Sequence, residues 1–209
     1  MKRIVLFLAV GLYLSCHAPA FGQVFYAFPN APVVGSGELA TGSYAAIGEN
    51  ELFRLGGYVR LAIAKYWDAG VEVLLDVRNG NVMAGAGLDV KLAAFPSTKA
   101  IPFDLSLNTG VGFIGDSDFT LIQVPIGALI SSPFELDSGR VLVPYLGVYL
   151  LIVDIDRDRG PSSPGISDTD LDAELRGGVR YELEGRLDLF GTLHIGRDAL
   201  FALGVNVKL

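Results

Sequence analysis

The sequence predicts an all-β protein: a closed, antiparallel, up-and-down β-barrel of about ten strands that crosses a membrane. Eight strands is the alternative, should two short segments be spurious. Three observations predict this fold. Apolar and polar residues alternate with period two along most of the chain after residue 38, as in strands with one greasy and one wet face. Glycine is abundant, 26 of 209 residues, which suits tight turns and close-packed strands better than helices. The wet faces carry charges of both signs in near balance, interleaved with glycine.

Residues 1–22 read as a secretory signal peptide. Lys2 and Arg3 form its basic start, and Ile4 to Leu14 its apolar core, too short to span a bilayer as a mature helix. Ala18-Pro19-Ala20 is an A-x-A cleavage site and Ala20-Phe21-Gly22 a second, so cleavage is expected after Ala20 or Gly22. Cys16, the only cysteine, falls inside this segment; Tyr13-Leu14-Ser15 before it is a poor lipobox, so it reads as inert. The mature chain would then hold no disulfide despite export. It would carry 23 acidic residues against 14 basic ones, which disfavours nucleic-acid binding. The longest uncharged runs, Phe119–Phe134 and Val141–Val153, are shorter than the roughly 20 residues a membrane helix needs, and they contain Pro125 and Pro144.

Residues 23–37, with Pro29 and Pro32, lack periodicity and read as a lead-in to a barrel domain over 38–209. Glu38–Ile47 is a weak strand. Gly57–Tyr66 sets Val59, Leu61 and Ile63 against Tyr58, Arg60 and Ala62, and Trp67-Asp68-Ala69 is read as a turn. Gly70–Arg78 sets Val71, Val73, Leu75 and Val77 against Glu72, Leu74, Asp76 and Arg78. Asn79-Gly80 between two alternating runs is a strong hairpin signal. Val82–Ala94, Phe103–Phe113 and Phe119–Ile130 continue the alternation, separated by turns at 95–101 and 115–118. After a polar turn, Ser131–Arg140, Val141–Asp154 is apolar on both faces; Ile155–Asp168 is the one long loop. Thr169–Leu183, Arg186–Ile195 and the final stretch Phe201–Leu209 complete the set. That is nine clear strands and one weak one, and the even number expected of single-chain bacterial barrels argues for counting all ten.

Alternation alone also fits a soluble lipocalin-like barrel with its apolar face inward. Length chooses between them: from Phe103 to Phe113, ten steps of ~3.3 Å tilted by ~40° cover about 25 Å, the height of a membrane apolar band with aromatics at its edges. Charge agrees. The polar faces place Arg60, Arg78, Lys91, Arg176, Arg180, Arg186 and Lys208 opposite Glu72, Asp76, Asp89, Asp104, Asp172, Glu174, Glu182 and Asp188, a near-neutral ladder. A narrow lumen demands such balance, because unpaired charges there are costly. Export through a signal peptide is the third argument.

The last strand alternates Phe201, Leu203, Val205, Val207 and Leu209 with Ala202, Gly204, Asn206 and Lys208. It resembles the C-terminal strand that bacterial outer-membrane barrels use as an assembly signal, with Leu209 where that family usually has an aromatic residue. Residues 38–209 as a whole resemble the small Gram-negative outer-membrane barrels of the OmpA/OmpW-like kind. The resemblance implies an outer-membrane location, with lipid, lipopolysaccharide and the outer-membrane assembly machinery as partners. It also implies periplasmic termini and an outward-facing 155–168 loop, with Phe103, Phe113 and Phe201 in an aromatic girdle.

Candidate chemistry is sparse. His194 is the only histidine after processing and is expected in the lumen. Thr192-Leu193-His194-Ile195-Gly196 lacks the His-x-Ser arrangement of lipid A deacylases, and omptin-type paired acidic motifs are not found. A lone histidine is not a catalytic constellation. Asp154 to Gly160 superficially resembles a calcium loop, but the positions wanting glycine and glutamate hold Arg159 and Gly165. Asp172 and Glu174 beside Arg176 and Arg180 read as a salt-bridge ladder on one strand face before they read as acid and base. No cofactor or metal site is expected. The expectation is a non-enzymatic barrel filled by side chains, with a surface, adhesion or envelope-integrity role. The alternative is a narrow channel or carrier, given room by Ala62, Gly85, Gly87, Gly110, Gly112 and Gly204; a hydrolase using His194 comes third.

Overall fold

The computed structural model describes residues 38–98, 101–117, 119–157, 166–184 and 186–209. The expected signal peptide (1–22) and lead-in (23–37) lie outside them, as does the centre of the long loop, 158–165. The strands are β1 (Leu39–Gly48), β2 (Leu52–Ala64), β3 (Trp67–Arg78), β4 (Asn81–Phe95), β5 (Asp104–Gly115) and β6 (Phe119–Ser131). They continue as β7 (Phe134–Glu135), β8 (Val141–Arg157), β9 (Ile166–Glu184), β10 (Leu187–Ile195) and β11 (Ala199–Lys208). There is no helix among the described residues.

Ten strands form one closed ring of antiparallel neighbours. β1 pairs with β11 from Ala40↔Lys208 to Gly48↔Leu200, and β6 pairs with β8 from Phe119↔Arg157 to Ser131↔Tyr145. The short β7 keeps the register of β6 along β8, with Phe134 opposite Leu142, after an interruption at Ser132-Pro133. The register also sets the tilt. Stepping across neighbours from Thr41 through Val59, Val71 and Leu88 leads obliquely around the barrel. One circuit ends roughly twelve residues along β1, which for ten strands corresponds to a tilt of about 40°.

Inside and outside are as the alternation requires. Val59, Val73 and Leu88 are 45%, 59% and 57% exposed, whereas Arg54 and Asp76 on the other face are 0% exposed. A hydrocarbon-facing barrel needs this inversion, because only apolar side chains may meet lipid. Exposed aromatics cluster at both ends. Tyr66, Trp67, Phe95, Phe103 and Phe134 mark the end that holds Leu209, while Phe53, Phe113 and Phe201 mark the other. The inner wall is divided. Leu74, Ile114, Leu121, Leu129, Tyr145, Tyr149, Leu151, Val153 and Ile155 form one apolar cluster, mostly on β5, β6 and β8. Tyr44, Ala46, Leu52, Tyr58, Phe190, Leu200 and Ala202 form another across the lumen. The two-faced apolar character of Val141–Asp154 is explained by the first cluster.

Several boundaries differ from the sequence reading. Trp67-Asp68-Ala69 is not a turn but the start of β3, paired with Leu92, Lys91 and Val90; Lys65-Tyr66 alone turns the chain. β2 begins at Leu52 instead of Gly57. β8 runs to Arg157 and β9 starts at Ile166, so both ends of the expected long loop, 155–157 and 166–168, are strand, and its centre lies outside the described residues. The weak segment is a full strand, Leu39–Gly48, and pairs with β11 as an up-and-down barrel requires. Asn79 and Gly80 both have positive φ (49° and 81°), the two-residue turn that matches hairpin twist.

Candidate functional site in the barrel lumen

The lumen is built by one recurring device. A long inward side chain has a glycine as its direct cross-strand neighbour, and it reaches over that glycine to the strand beyond. Tyr44 lies opposite Gly56 and crosses it to donate a hydrogen bond to Glu72 on β3. Tyr58 lies opposite Gly42 and crosses β1 to donate to Oδ1 of Asn206 on β11, at 3.3 Å. Arg60 lies opposite Gly70 and crosses β3 to reach Asp89, at 2.7 Å. Tyr149 lies over Gly127, and Phe190 over Gly204. At each place the missing side chain is the space the reaching one occupies.

Four ionic groups fill the rest. Arg54 and Asp76 are direct cross-strand partners and form a two-pronged pair, Nε and Nη2 each 2.5 Å from a carboxylate oxygen. Both are sealed from solvent, so the fork geometry of arginine matches the carboxylate with no water to compete. Nearer the end that holds Leu209, Arg60 holds Asp68 and Asp89, and Lys91 lies 3.5 Å from Asp68, its cross-strand partner. Also towards that end, Arg180 contacts Asp188 at 3.0 Å and Glu182 at 2.8 Å, and Asn206 donates to Asp188 at 3.1 Å.

His194 sits in the fourth group, with Glu174 and Arg176. Its Nδ1 is 3.1 Å from Oε1 of Glu174, which also accepts from Nε of Arg176. The Arg176 guanidinium lies over the Tyr149 ring, 4.0 Å from its centre. Gly147, opposite Arg176 on β8, leaves room for that stacking. A histidine oriented by a carboxylate is half of a base-catalysed site. The other half is a hydroxyl or thiol nucleophile held by the histidine; His194 and Glu174 are each 2% exposed.

Of the ladder residues, Arg60, Glu72, Asp76, Asp89, Lys91, Asp104, Glu174, Arg176, Arg180, Asp188 and His194 are buried. Arg78, Asp172, Glu182 and Lys208 sit at the barrel ends, partly open to solvent. Arg186 departs from the expectation. It lies in the β9–β10 turn, exposed, because β10 begins only at Leu187 and its register with β9 shifts there. Asp172, Glu174, Arg176 and Arg180 share a strand face but not one network: Asp172 pairs with Arg197, Glu174 with Arg176, and Arg180 with Asp188. The glycines read as room for a channel are partly filled. Leu74 occupies the space at Gly85, Asp89 that at Gly110, and Phe190 that at Gly204.

Sequence reading missed Arg54, which fell between the segments read as Glu38–Ile47 and Gly57–Tyr66, and Asp68, which fell in a presumed turn. It also missed Asp198, in the turn before β11, whose Oδ2 is 3.4 Å from Arg78. Burial raises that carboxyl's pKa above its ordinary value even though Arg78 pulls it down. The period-two frame, extended three steps back from Arg60 and two back from Glu72, would have found the first two.

No protein-family model matches the sequence, and a search of curated proteins finds no match. Among solved structures, the barrel is similar in outline to the N-terminal β-barrel domain of Pseudomonas aeruginosa OprF. That match has 12% identity, covers 84% of this chain and 99% of that one, and has a TM-score of 0.42. It is also similar to Neisserial surface protein A (17%, 82% and 95%, 0.34) and to LpxR from Salmonella typhimurium (10%, 87% and 78%, 0.43). These likenesses are of general shape; the barrel itself rests on the strand pairing and burial above.

Proposed function

We propose that this chain is an outer-membrane β-barrel whose lumen is closed by its own side chains, and that it acts at the cell surface or in envelope integrity, without enzymatic activity. The observation that carries this reading is the filling of the lumen across glycines, with Arg54–Asp76 and Arg60–Asp68–Asp89–Lys91 as buried ionic cross-braces. A conducting pore would keep such charges hydrated, whereas these are sealed and paired. The apolar belt supports lipid and lipopolysaccharide as the surrounding partners, and the final strand supports recognition by the outer-membrane assembly machinery. By the general arrangement of such barrels, the termini lie on the periplasmic side and the β8–β9 connection outside.

Planar-bilayer recording tests the reading. Purified, folded protein is expected to give no steady conductance. Large, long-lived openings would overturn it in favour of a channel, and would point to rearrangement of the lumen groups named above. The hydrolase reading makes a separate claim, since it needs turnover of lipid or peptide substrate that His194→Ala abolishes.

A further inference from the structure

The barrel wall is uneven at the end away from Leu209. β9 starts at Ile166, yet β10 pairs with it only as far as Leu175, opposite Ile195. Among the described residues, the backbone of Ile166–Glu174 is strand-paired with β8 alone. The open side of such a strand presents alternate N–H and C=O groups, a template for another extended chain. Protected edges carry charged side chains, lysine above all, or proline or a bulge, or are covered; a row of one sign repels its like and admits only the opposite charge. This one, Ile-Ser-Asp-Thr-Asp-Leu-Asp-Ala-Glu, has no lysine and no proline, and its pairing with β8 runs without a bulge. Asp168, Asp170 and Asp172 share one face of it, and Leu171 on the other face is 70% exposed, the most exposed large apolar side chain described.

One basic group already docks there. Arg197, from the β10–β11 turn, places Nη2 2.8 Å from Asp170 and Nε 2.9 Å from Asp172. A second copy of the chain would be a poor occupant, because antiparallel self-pairing sets this acidic row against itself. An anionic lipid surface is excluded by the same sign of charge.

We infer that Ile166–Glu174 is a docking strand for an extended basic segment of a partner protein, which adds to β9 by backbone pairing and sets Lys or Arg against Asp168, Asp170 and Asp172. Backbone pairing supplies affinity without sequence preference, and the carboxylates supply selectivity for charge. The inference rests on the reading that this end of the barrel faces out of the cell.

The test uses the folded full-length barrel in zwitterionic nanodiscs and a fluorescent nonapeptide alternating Lys and Thr. Saturable binding is expected. The isosteric variant Asp168→Asn/Asp170→Asn/Asp172→Asn should weaken it by roughly tenfold at low salt, and high salt should weaken the native complex comparably. Arg197→Ala, which frees two of the carboxylates, should tighten binding, a result that a purely structural role for Arg197 would not give. Hydrogen exchange should slow at alternate amides of Ile166–Glu174. The inference is overturned by absence of saturable binding, by equal binding to native and both variants, by protection elsewhere, or by self-association of the barrel through this edge. Its failure is separable from that of the closed lumen: a conducting barrel that binds the peptide leaves this inference standing, and a silent barrel that does not bind removes it alone.

Discussion

A β-carbon on Gly127 would lie 2.6 Å from Cγ of Tyr149 and 2.6 Å from the carbonyl oxygen of Val148. Neither can yield, since one is the base of a fully buried ring and the other is barrel backbone. Gly127→Ala should therefore cost about 1–3 kcal/mol through overpacking, read as a lowered midpoint in urea unfolding from micelles; an unchanged midpoint would show that the ring has somewhere to go. Arg54 and Asp76 test the ionic side of the lumen. Arg54→Ala leaves a sealed carboxylate without its fork and should destabilise by about 3–5 kcal/mol, whereas replacing both partners together, Arg54→Met with Asp76→Leu, should recover most of that. The contrast, measured by the same unfolding, separates a pair that stabilises the barrel from one that merely neutralises itself.

At the scale of elements, β11 closes the ring. It pairs with β10 on one side and with β1 on the other, nine register positions each. Deleting Phe201–Leu209 leaves two open edges and an apolar face with no neighbour, so the chain should remain unassembled, seen as loss of the heat-modifiable, membrane-inserted form. Wild-type levels of that form would refute the role of the strand. Elements were legible in the sequence where alternation was clean, as in β3 beyond Gly70 and in β5. The frame failed at Gly56-Gly57, where paired glycines look like a break. In the barrel, Gly56 is instead the gap that Tyr44 crosses. It failed again at Trp67, because an aromatic beside aspartate resembles turn composition, whereas Trp67 belongs to the exposed aromatic ring at the barrel end and Asp68 points inward to Arg60.

On the scale of the whole molecule, the outward belt decides where the barrel can live. Val73, half-way along β3 and 59% exposed, lies in the middle of that belt, and Val82, next to the β3–β4 turn, lies at its edge. In lipid vesicles, Val73→Arg should cost about 2–4 kcal/mol and Val82→Arg about 0–1 kcal/mol, a depth dependence that a soluble barrel would not display. Equal effects of the two substitutions would remove the membrane assignment. The sequence by itself determined the class and the face that most strand side chains take, and left the strand number between ten and eight, because period-two alternation is local and survives without knowledge of partners. Only the tertiary structure decided which charges meet. Arg60 finds Asp89 across an intervening strand because Gly70 is the residue between them, and Arg197 reaches the open edge of β9 because β10 stops short of it. Such contacts depend on register and on where neighbouring strands end, and these are set by closure of the whole ring.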